Sequence, residues 1–539
     1  MSTAQPRDTA VLSLDRLTVA LPPGADRAHA VQDLNLSLQA GEVLCLVGES
    51  GSGKSVAAAA VTRLLPGALP IISGGVLFDG QNLATLPESA MRRIRGAGIG
   101  MIFQEPMSAL NPLMTIGQQL AEIFRAHTGL RRREIEARCL QLLQDVRIAD
   151  PAAALQAHAH QLSGGQRQRA MIAMALALDP RVLVADEPTT ALDVTTQAQI
   201  LKLIRELQQR RGTAVLFITH DFGVVADIAD RVAVMQHGRV VESGSAREVL
   251  GSPRHAYTRA LLAAVPHGLP REPSPAASGE EVLAAEGLQK TYRSGSRWLR
   301  NQRVTHALDG VGLKLARGST LGIVGESGSG KSTLARCLVG LLGSDGGRIQ
   351  VAGRDAAPGP DPRVQMVFQD PYGSLDPRRR VGDSVIQGPL AQGVPRARAE
   401  AEAKEWFALV GLSPDALGRL PHEFSGGQRQ RIGLARALAM KPEVLVADEP
   451  VSALDVSVQA QVLALLEDLR RRLGLSIVFI THDLRVAAQV CDRIAVMQHG
   501  RVVEEAATGE LFRHPRHAYT RSLLAAMPGR ARQDFPLAA

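Results

Sequence analysis

The residues with the clearest chemical potential form a glycine-rich run between an apolar stretch and an alanine-rich stretch. The run comprises Gly48, Glu49, Ser50, Gly51, Ser52, Gly53, Lys54, Ser55 and Val56. Glycines at these spacings let successive backbone N–H groups converge on phosphate oxygens at the start of a helix. The Lys54 ammonium would neutralise the β- and γ-phosphates, and the Ser55 hydroxyl would coordinate Mg²⁺. The sequence therefore predicts a phosphate-binding loop.

The same run occurs a second time with the same kind of flanks. The second copy comprises Gly325, Glu326, Ser327, Gly328, Ser329, Gly330, Lys331, Ser332 and Thr333. One such match could arise by chance in a chain with 51 glycines. Two copies in the same context leave little room for accident, so we expect two phosphate loops, with Ser332 as the second magnesium ligand.

An acidic pair follows an apolar run in each half of the chain. Asp186 and Glu187 end the first run, and Asp448 and Glu449 end the second. Ligands of open α/β sheets bind at the carboxyl ends of the strands, so both pairs are predicted to face the nucleotide. The aspartates would reach Mg²⁺, directly or through water, and the glutamates would polarise an attacking water. The alternative is a strand that ends in solvated acids, which the repetition disfavours.

Histidines and glutamines also recur after apolar runs. His220 and His482 have the same surroundings, which favours a contact to the γ-phosphate over the alternative of a satisfied core histidine. Gln104 and Gln369 likewise follow apolar runs, but either could be an ordinary loop residue. Spacing alone does not decide the role of the glutamines.

A second type of anion-binding helix start is predicted in each half. It comprises Ser163, Gly164, Gly165 and Gln166 in the first half and Ser425, Gly426, Gly427 and Gln428 in the second. The serine is a typical N-cap, and the residues after it would expose backbone N–H groups. Chemistry on one nucleotide does not need both a phosphate loop and this terminus. The economical explanation is that each terminus completes the site of the other copy, so that two domains enclose two nucleotides head to tail.

These motifs must be positioned by a duplicated α/β domain. The later motifs recur at a constant offset of 262 residues, whereas the phosphate loops are 277 apart, so a helical or loop excursion is shorter in the second copy. Residues 43–47, 182–185 and 215–218 are near-continuous apolar runs, which is typical of buried parallel strands. We predict an α/β fold with domains at 1–266 and 282–539, joined by a Pro/Ser/Gly-rich linker at 267–281.

Composition excludes several other classes. The 539 residues carry a net charge of +8, but only 7 of the 61 basic residues are lysine, and this arginine bias resembles genome composition more than a nucleic-acid surface. The runs at 131–133, 378–380 and 470–472 are predicted to be solvated. Four widely spaced cysteines indicate core thiols without a disulfide, zinc or iron-sulfur scaffold. No membrane span or signal peptide is predicted, which makes the cytoplasm the default location.

Together, the motifs resemble an ABC-type ATPase with two nucleotide-binding domains in one chain. The Leu-Ser-Gly-Gly-Gln sequence at 162–166 is similar to the ABC signature, and the resemblance covers nearly all of the chain. It implies an antiparallel β subdomain and a helical signature subdomain beside each parallel core sheet. It also implies that Gln104 and Gln369 are Q-loop residues that contribute to the magnesium site, that Asp193 and Asp455 belong to D-loops, and that both composite sites hydrolyse ATP.

A narrower resemblance is to the dipeptide/oligopeptide/nickel importer ATPases. It is carried by the segments at 104–112 and 369–377 and by the tails at 255–266 and 517–528. Tyr292 matches the aromatic residue that stacks on adenine in this family, but Leu21 stands at the matching place in the first copy. Neither the segment 267–281 after Pro266 nor the residues after Pro528 contain a cysteine, so the iron-sulfur cluster of several relatives is predicted to be absent.

The resemblance implies ATP and Mg²⁺ as ligands and peptide uptake as the process energised. It also implies two separate transmembrane permease subunits, a peptide-binding protein outside, and a peripheral position at the cytoplasmic face of the inner membrane. Export of a peptide or drug stays an alternative, because the membrane partners set the direction. A soluble twin-cassette factor acting on ribosomes or DNA is disfavoured by the short linker and the missing metal-binding cysteines.

Overall fold

A computed structural model of the chain shows two compact units. The first unit consists mainly of residues 1–192 and 196–263, and the second mainly of residues 264–527. The structure describes residues 10–190, 192–271, 279–294, 303–452 and 454–529.

The first unit alternates strands with helices. Its strands are β1 (Leu12–Ala20), β2 (His29–Leu38), β3 (Val43–Val47), β4 (Ile71–Phe78), β5 (Gln81–Asn82), β6 (Ile99–Ile102), β7 (Val182–Asp186), β8 (Ala214–Thr219), β9 (Arg231–Gln236) and β10 (Arg239–Ser245). Its helices are α1 (Lys54–Thr62), α2 (Glu88–Ile94), α3 (Pro106–Ala109), α4 (Ile116–His127), α5 (Arg132–Asp145), α6 (Pro151–Gln156), α7 (Gly164–Ala175), α8 (Val194–Arg211), α9 (Phe222–Ile228), α10 (Ala246–Gly251) and α11 (Ala256–Ala264).

A six-stranded sheet forms the centre of the first unit, in the order β10-β9-β3-β8-β7-β6. All neighbours are parallel except β9 and β10. Strands β3, β7 and β8 are buried along their whole length, as their apolar runs predict. In this register the carboxyl ends of β3, β6, β7 and β8 lie at one edge of the sheet. The phosphate loop, Gln104, the acidic pair and His220 therefore all emerge at that edge.

The rest of the first unit packs around this sheet. An antiparallel sheet in the order β2-β1-β4-β5 shares an apolar core with α1 and with one face of the parallel sheet. Leu46, Val184 and Leu216 belong to that core, and alternate side chains of the same strands face the other side. Helices α4 to α7 form a separate helical group, with contacts among α4, α5, α6 and α7.

The second unit repeats this arrangement. Its strands are β11 (Glu281–Ser294), β12 (Arg303–Ala316), β13 (Thr320–Val324), β14 (Gly346–Val351), β15 (Arg354–Asp355), β16 (Val364–Val367), β17 (Val444–Asp448), β18 (Ser476–Thr481), β19 (Arg493–Gln498) and β20 (Arg501–Ala507). Its helices are α12 (Lys331–Leu338), α13 (Val381–Ala391), α14 (Arg396–Leu409), α15 (Gly426–Leu438), α16 (Val456–Leu473), α17 (Leu484–Val490), α18 (Thr508–Arg513) and α19 (Ala518–Ala525). Its sheets have the orders β16-β17-β18-β13-β19-β20 and β12-β11-β14-β15.

The predicted parallel strands are confirmed, and so is the shortened excursion. Helix α2 lies between β5 and β6 in the first unit, whereas the described residues between β15 and β16 contain no helix. Of the predicted linker at 267–281, residues 272–278 lie outside the described part of the chain, and Glu281 already begins β11.

Two composition-based expectations have different outcomes. The four cysteines are free and buried, as predicted for core thiols, and burial raises the pKa of Cys45 and Cys491. The expectation that the arginine run at 470–472 is solvated is wrong at Arg470, which is only 4% exposed. Its guanidinium is paired with Glu467 and also donates to the Gly318 carbonyl, and these partners compensate the buried charge.

None of the helices in the described part of the chain combines the length and apolar character that a membrane span requires.

Candidate functional site

The phosphate loop of the first unit connects β3 to α1 and is closed on itself by Lys54. The Lys54 ammonium donates to the carbonyl oxygens of Gly48 at 2.7 Å and Glu49 at 2.9 Å. Gly48 has a φ of +151°, and a Cβ there would lie 2.3 Å from the Met235 carbonyl oxygen. Only glycine fits this position, and its lack of a side chain allows the loop to run close against β9.

The second unit reproduces this loop between β13 and α12. The Lys331 ammonium donates to the Gly325 carbonyl at 2.7 Å and the Glu326 carbonyl at 2.8 Å. Burial lowers the pKa of Lys331, although nearby carboxylates oppose this effect. The Ser329 hydroxyl is buried without a hydrogen-bond partner inside this loop. A buried polar atom of this kind fits a loop that is built to receive a polar ligand.

Next to each loop lies a pair of oxygen donors. The Ser55 hydroxyl is 3.1 Å from Asp186 Oδ1, and the Ser332 hydroxyl is 3.4 Å from Asp448 Oδ1. Burial raises the pKa of both aspartates, and the serine hydrogen bonds offset this only in part. Hydroxyl and carboxylate oxygens are hard donors, and a buried carboxylate favours a cation beside it. The donor set therefore fits a divalent ion such as Mg²⁺.

The second acid of the first pair lies at the centre of a polar cluster. Glu187 Oε1 is 3.1 Å from His220 Nδ1, and Glu187 Oε2 accepts from the Gln104 amide at 3.2 Å and the Thr190 hydroxyl at 2.9 Å. Burial acts to raise the pKa of Glu187, but the hydrogen bonds of His220 and Thr190 and the charges of His220 and Lys54 together outweigh it, so that this pKa is lowered. The carboxylate is thus kept ionised, as a base that orients water must be.

The matching cluster of the second unit brings the corresponding histidine and glutamine to Glu449. Glu449 Oε2 is 3.2 Å from His482 Nδ1 and accepts from the Gln369 amide at 3.0 Å. Burial opposes ionisation of both groups. Nevertheless, their mutual contact lowers the pKa of Glu449 and raises that of His482. The structure therefore brings the two glutamines, whose role spacing alone left open, into contact with the glutamates.

Both glutamates have a left-handed backbone. Glu187 has a φ of +45° and Glu449 a φ of +46°, directly after the last residue of β7 and β17. A non-glycine residue in this region is strained by about 1 kcal/mol or more. The same conformation recurs in both units, and it places each glutamate directly after the carboxyl end of its strand.

The signature segments begin α7 and α15, in elements different from the phosphate loops. Ser163 caps α7 by accepting from the Gln166 N–H, and the Gln166 side chain accepts from the Ser163 N–H at 3.0 Å. Ser425 and Gln428 form the same capping box in the second unit. The predicted N-caps are therefore confirmed.

The remaining predicted residues lie at the borders of other elements. Asp193 and Asp455 directly precede α8 and α16. Leu21 follows β1, while Tyr292 lies in β11 with 41% of its surface exposed.

Sequence reasoning missed one pair of contacts to the loops. The Tyr257 hydroxyl accepts from the Glu49 N–H at 3.3 Å, and the Tyr519 hydroxyl accepts from the Glu326 N–H at 3.0 Å. Both tyrosines lie in the tail of their unit, far from the loop in sequence. The recurrence of His-Ala-Tyr-Thr-Arg at the 262-residue offset was the available signal.

A closed glycine-rich loop, an adjacent hydroxyl–carboxylate pair and an ionised glutamate at one sheet edge define a phosphate-loop nucleoside triphosphatase, present here twice. Two family profiles match the chain. The profile described as "ABC transporter" matches residues 31–190 and 308–452, and "Oligopeptide/dipeptide transporter, C-terminal region" matches residues 241–287 and 503–535.

Individual proteins match over almost the whole chain. The "Peptidoglycan transport ATP-binding protein YejF" of Agrobacterium fabrum is 48% identical over 528 residues, which cover 96% of each chain. The "Glutathione import ATP-binding protein GsiA" of Salmonella typhimurium is 46% identical over 566 residues, covering 96% of this chain and 89% of that protein. A solved dimeric ATP-binding cassette with ADP and Pi is 29% identical and covers 44% of this chain and 99% of its own, with a TM-score of 0.40.

The chain belongs to the ABC transporter ATP-binding proteins and carries the oligopeptide/dipeptide transporter C-terminal region. It is an ATPase of this family with two ATP-binding domains. The predicted family, fold class and enzymatic activity are thereby confirmed.

Proposed function

We propose that the chain is the ATP-hydrolysing subunit of an importer for peptides or peptide-like compounds of the dipeptide, oligopeptide or glutathione type. The observation that carries this proposal is the combination, in each half of the chain, of an ABC transporter match with an oligopeptide-transporter tail. The names of the YejF and GsiA relatives, which refer to peptidoglycan transport and glutathione import, support a cargo of this chemical class.

In each unit, the loop N–H groups and the lysine ammonium would bind the phosphates of ATP. Asp186 with Ser55, and Asp448 with Ser332, would hold Mg²⁺ together with the glutamine side chains. When bound, the ion would neutralise charge on the β- and γ-phosphates. The Glu187 carboxylate would accept a hydrogen bond from the attacking water, and His220 would hold that carboxylate and contact the γ-phosphate.

The signature segments would contact the nucleotide held by the other unit, with the D-loop aspartates nearby. Closure on two ATP molecules and reopening on hydrolysis would supply the power stroke.

The partners follow from the family. We propose two separate transmembrane permease subunits that hold the chain at the cytoplasmic face of the inner membrane, and a peptide-binding protein outside. No nucleic-acid partner is proposed. We also propose domains at 1–266 and 282–539, with the linker at 267–281, and adenine stacking on Tyr292.

A double substitution tests the ATPase site. In Glu187→Gln/Glu449→Gln, the polar contacts are largely kept but the base is lost, so turnover should fall by roughly 10² to 10⁴-fold while MgATP binding persists. Phosphate release and equilibrium nucleotide binding measure the two effects. Glu405→Gln, which removes the same charge from an exposed helical position, is the control. Wild-type turnover in the double variant would refute the assigned bases.

The transport assignment needs the membrane partners. Affinity purification from membranes should recover two permease chains with this protein, and vesicles containing that complex should accumulate a labelled peptide in the presence of MgATP. Movement in the opposite direction would replace import by export. Recovery of ribosomes or DNA without permeases would instead assign the chain to the soluble class.

A further inference from the structure

In each unit, a tyrosine of the tail holds the second residue of the phosphate loop. The Tyr257 hydroxyl accepts from the Glu49 N–H at 3.3 Å and lies 3.2 Å from Glu49 Oε2, to which it donates. The Tyr519 hydroxyl accepts from the Glu326 N–H at 3.0 Å, and Tyr519 is 9% exposed. Burial, together with the neighbouring Glu326 side chain, raises the pKa of Tyr519 to about 12. The hydroxyl therefore stays protonated and able to donate.

The tail is folded so that the tyrosine reaches the loop. The Glu242 side chain, in β10, accepts from the N–H groups of Arg254 at 2.7 Å and His255 at 3.1 Å. His255 Nδ1 then accepts from the Tyr257 N–H at 3.2 Å in the first turn of α11.

The second unit repeats each of these bonds. The Glu504 side chain accepts from Arg516 N–H at 2.8 Å and His517 N–H at 2.9 Å. His517 Nδ1 accepts from the Tyr519 N–H at 3.2 Å. In each unit, a glutamate (Glu242 or Glu504), here called the carboxylate hook, and a histidine (His255 or His517) thus hold the start of the tyrosine helix in the same way. The same arrangement occurs in two separate stretches of the chain.

Tyr257 and Lys54 both bind the same loop residue, Glu49. Glu49 is held at its N–H and carboxylate by Tyr257, and at its carbonyl by Lys54. If the ammonium turned toward phosphate when ATP binds, its bond to the Glu49 carbonyl would weaken. The tyrosine contact does not depend on the lysine, so it keeps the loop backbone in place for the phosphates.

We propose that Tyr257 and Tyr519 are positioning residues for nucleotide binding, through which the tail of each unit holds its phosphate loop in the binding conformation. This inference rests on the proposed function, because it requires ATP to bind at these loops. It gives the oligopeptide-transporter tail a role in ATP affinity within its own unit.

The test is Tyr257→Phe/Tyr519→Phe in the full-length chain, with the KM for MgATP and kcat measured by phosphate release. Phenylalanine keeps the ring and removes only the hydroxyl. We expect KM to rise roughly three- to tenfold, the effect of one lost hydrogen bond, with kcat within about twofold of wild type. Glu242→Gln/Glu504→Gln, which weakens the hook and leaves the tyrosines intact, should raise KM in the same direction by a smaller factor.

Ser476→Ala is the matched control for loss of a hydroxyl. Its hydroxyl accepts one backbone N–H, from Gly318 at 2.8 Å, at the start of β18 and hence at the opposite end of the sheet. It should lower Tm to a comparable extent and leave KM unchanged. If the tyrosine variant also lowers Tm and leaves KM unchanged, or if only its kcat falls, the role is structural and the proposal is overturned.

Two further outcomes are decisive. If the double phenylalanine variant does not fold, an unchanged KM in the Glu242→Gln/Glu504→Gln chain overturns the proposal, and a raised KM supports it. Lys54→Ala/Lys331→Ala tests the underlying site separately. Undiminished MgATP binding in that lysine variant would refute the proposed function itself, whatever the tyrosine variants do.

Discussion

Removal of the Glu467 carboxylate should destabilise the second unit in a pH-dependent way. This side chain lies on α16 and binds three arginines at once. It accepts from Arg271 at 2.8 and 2.9 Å, from Arg470 at 3.0 and 3.0 Å, and from Arg471 at 2.6 Å. The Arg470 side chain is only 3% exposed, so Glu467→Gln leaves a buried guanidinium without its counter-charge.

The magnitude follows from the pKa of Glu467. Burial acts to raise it, but the hydrogen bonds and charges of Arg470 and Arg271 lower it from 4.5 to about 2. Without screening, this difference in pKa corresponds to about 3 kcal/mol of the free energy of unfolding. Because 23% of the side chain is exposed, solvent screening reduces the expected contribution to about 1–2 kcal/mol. A lowered carboxylate pKa stabilises the fold above pH 4.5, and this stabilisation is lost as the pH falls toward 2.

Tryptophan fluorescence can follow this unit selectively. Both tryptophans of the chain, Trp298 and Trp406, belong to the second half. Urea unfolding at pH 7 should show Glu467→Gln to be less stable than wild type by about 1–2 kcal/mol. Between pH 5 and pH 3, the wild type should lose more of its free energy of unfolding than the variant, so that the two curves converge.

Glu402→Gln is the control, because Glu402 forms ion pairs with Arg398 and Lys441 whose side chains are 68% and 57% exposed. Surface pairs of this kind contribute about 0–1 kcal/mol, so the effect should be smaller. Parallel pH profiles for wild type and Glu467→Gln, or an equal loss in both variants, would show that the pairing does not stabilise the unit.

Three further predictions concern the nucleotide sites. Leu21→Tyr supplies the aromatic residue that the second unit has in Tyr292 and should tighten MgATP binding about two- to twelvefold, measured by titration in a Lys331→Ala background; unchanged affinity would contradict adenine stacking there. Gly48→Ala would place a Cβ 2.3 Å from the Met235 carbonyl oxygen, so nucleotide binding at the first site should be lost, which titration in a Lys331→Ala background can show, and Tm should be lowered. Chelation of divalent ions should reduce phosphate release to background, with recovery on addition of Mg²⁺; full activity in chelator would exclude the metal site.

Local patterns predicted the parts of the site that one short segment determines. The loop at Gly48 follows from glycine spacing, and the strand that ends in Asp186 follows from a continuous apolar run. Gln104 was different, because its position after a strand did not reveal its partner. Only the register of β6 beside β7 places its amide next to Glu187.

Contacts that span long stretches of chain were not predictable in this way. Arg470 donates to the Gly318 carbonyl, 152 residues away, and its partner Glu467 also binds Arg271, 196 residues away. Tyr257 reaches Glu49 across 208 residues. Hydrophobic periodicity reports which face of an element is buried, but it does not identify the polar partner that compensates a buried group.

The left-handed backbone of Glu187 and Glu449 makes the two residues liabilities for thermal stability. Asparagine tolerates this conformation better than glutamate, so Glu187→Asn should relieve backbone strain while abolishing turnover at the first site. Glutamine has the same backbone penalty as glutamate, so this strain should not make the Tm of the Glu187→Gln/Glu449→Gln chain differ from that of the wild type. Selection for activity and selection for stability thus act in opposite directions at these two positions, and a cassette of this type that lost its catalytic duty would be free to become more heat-resistant.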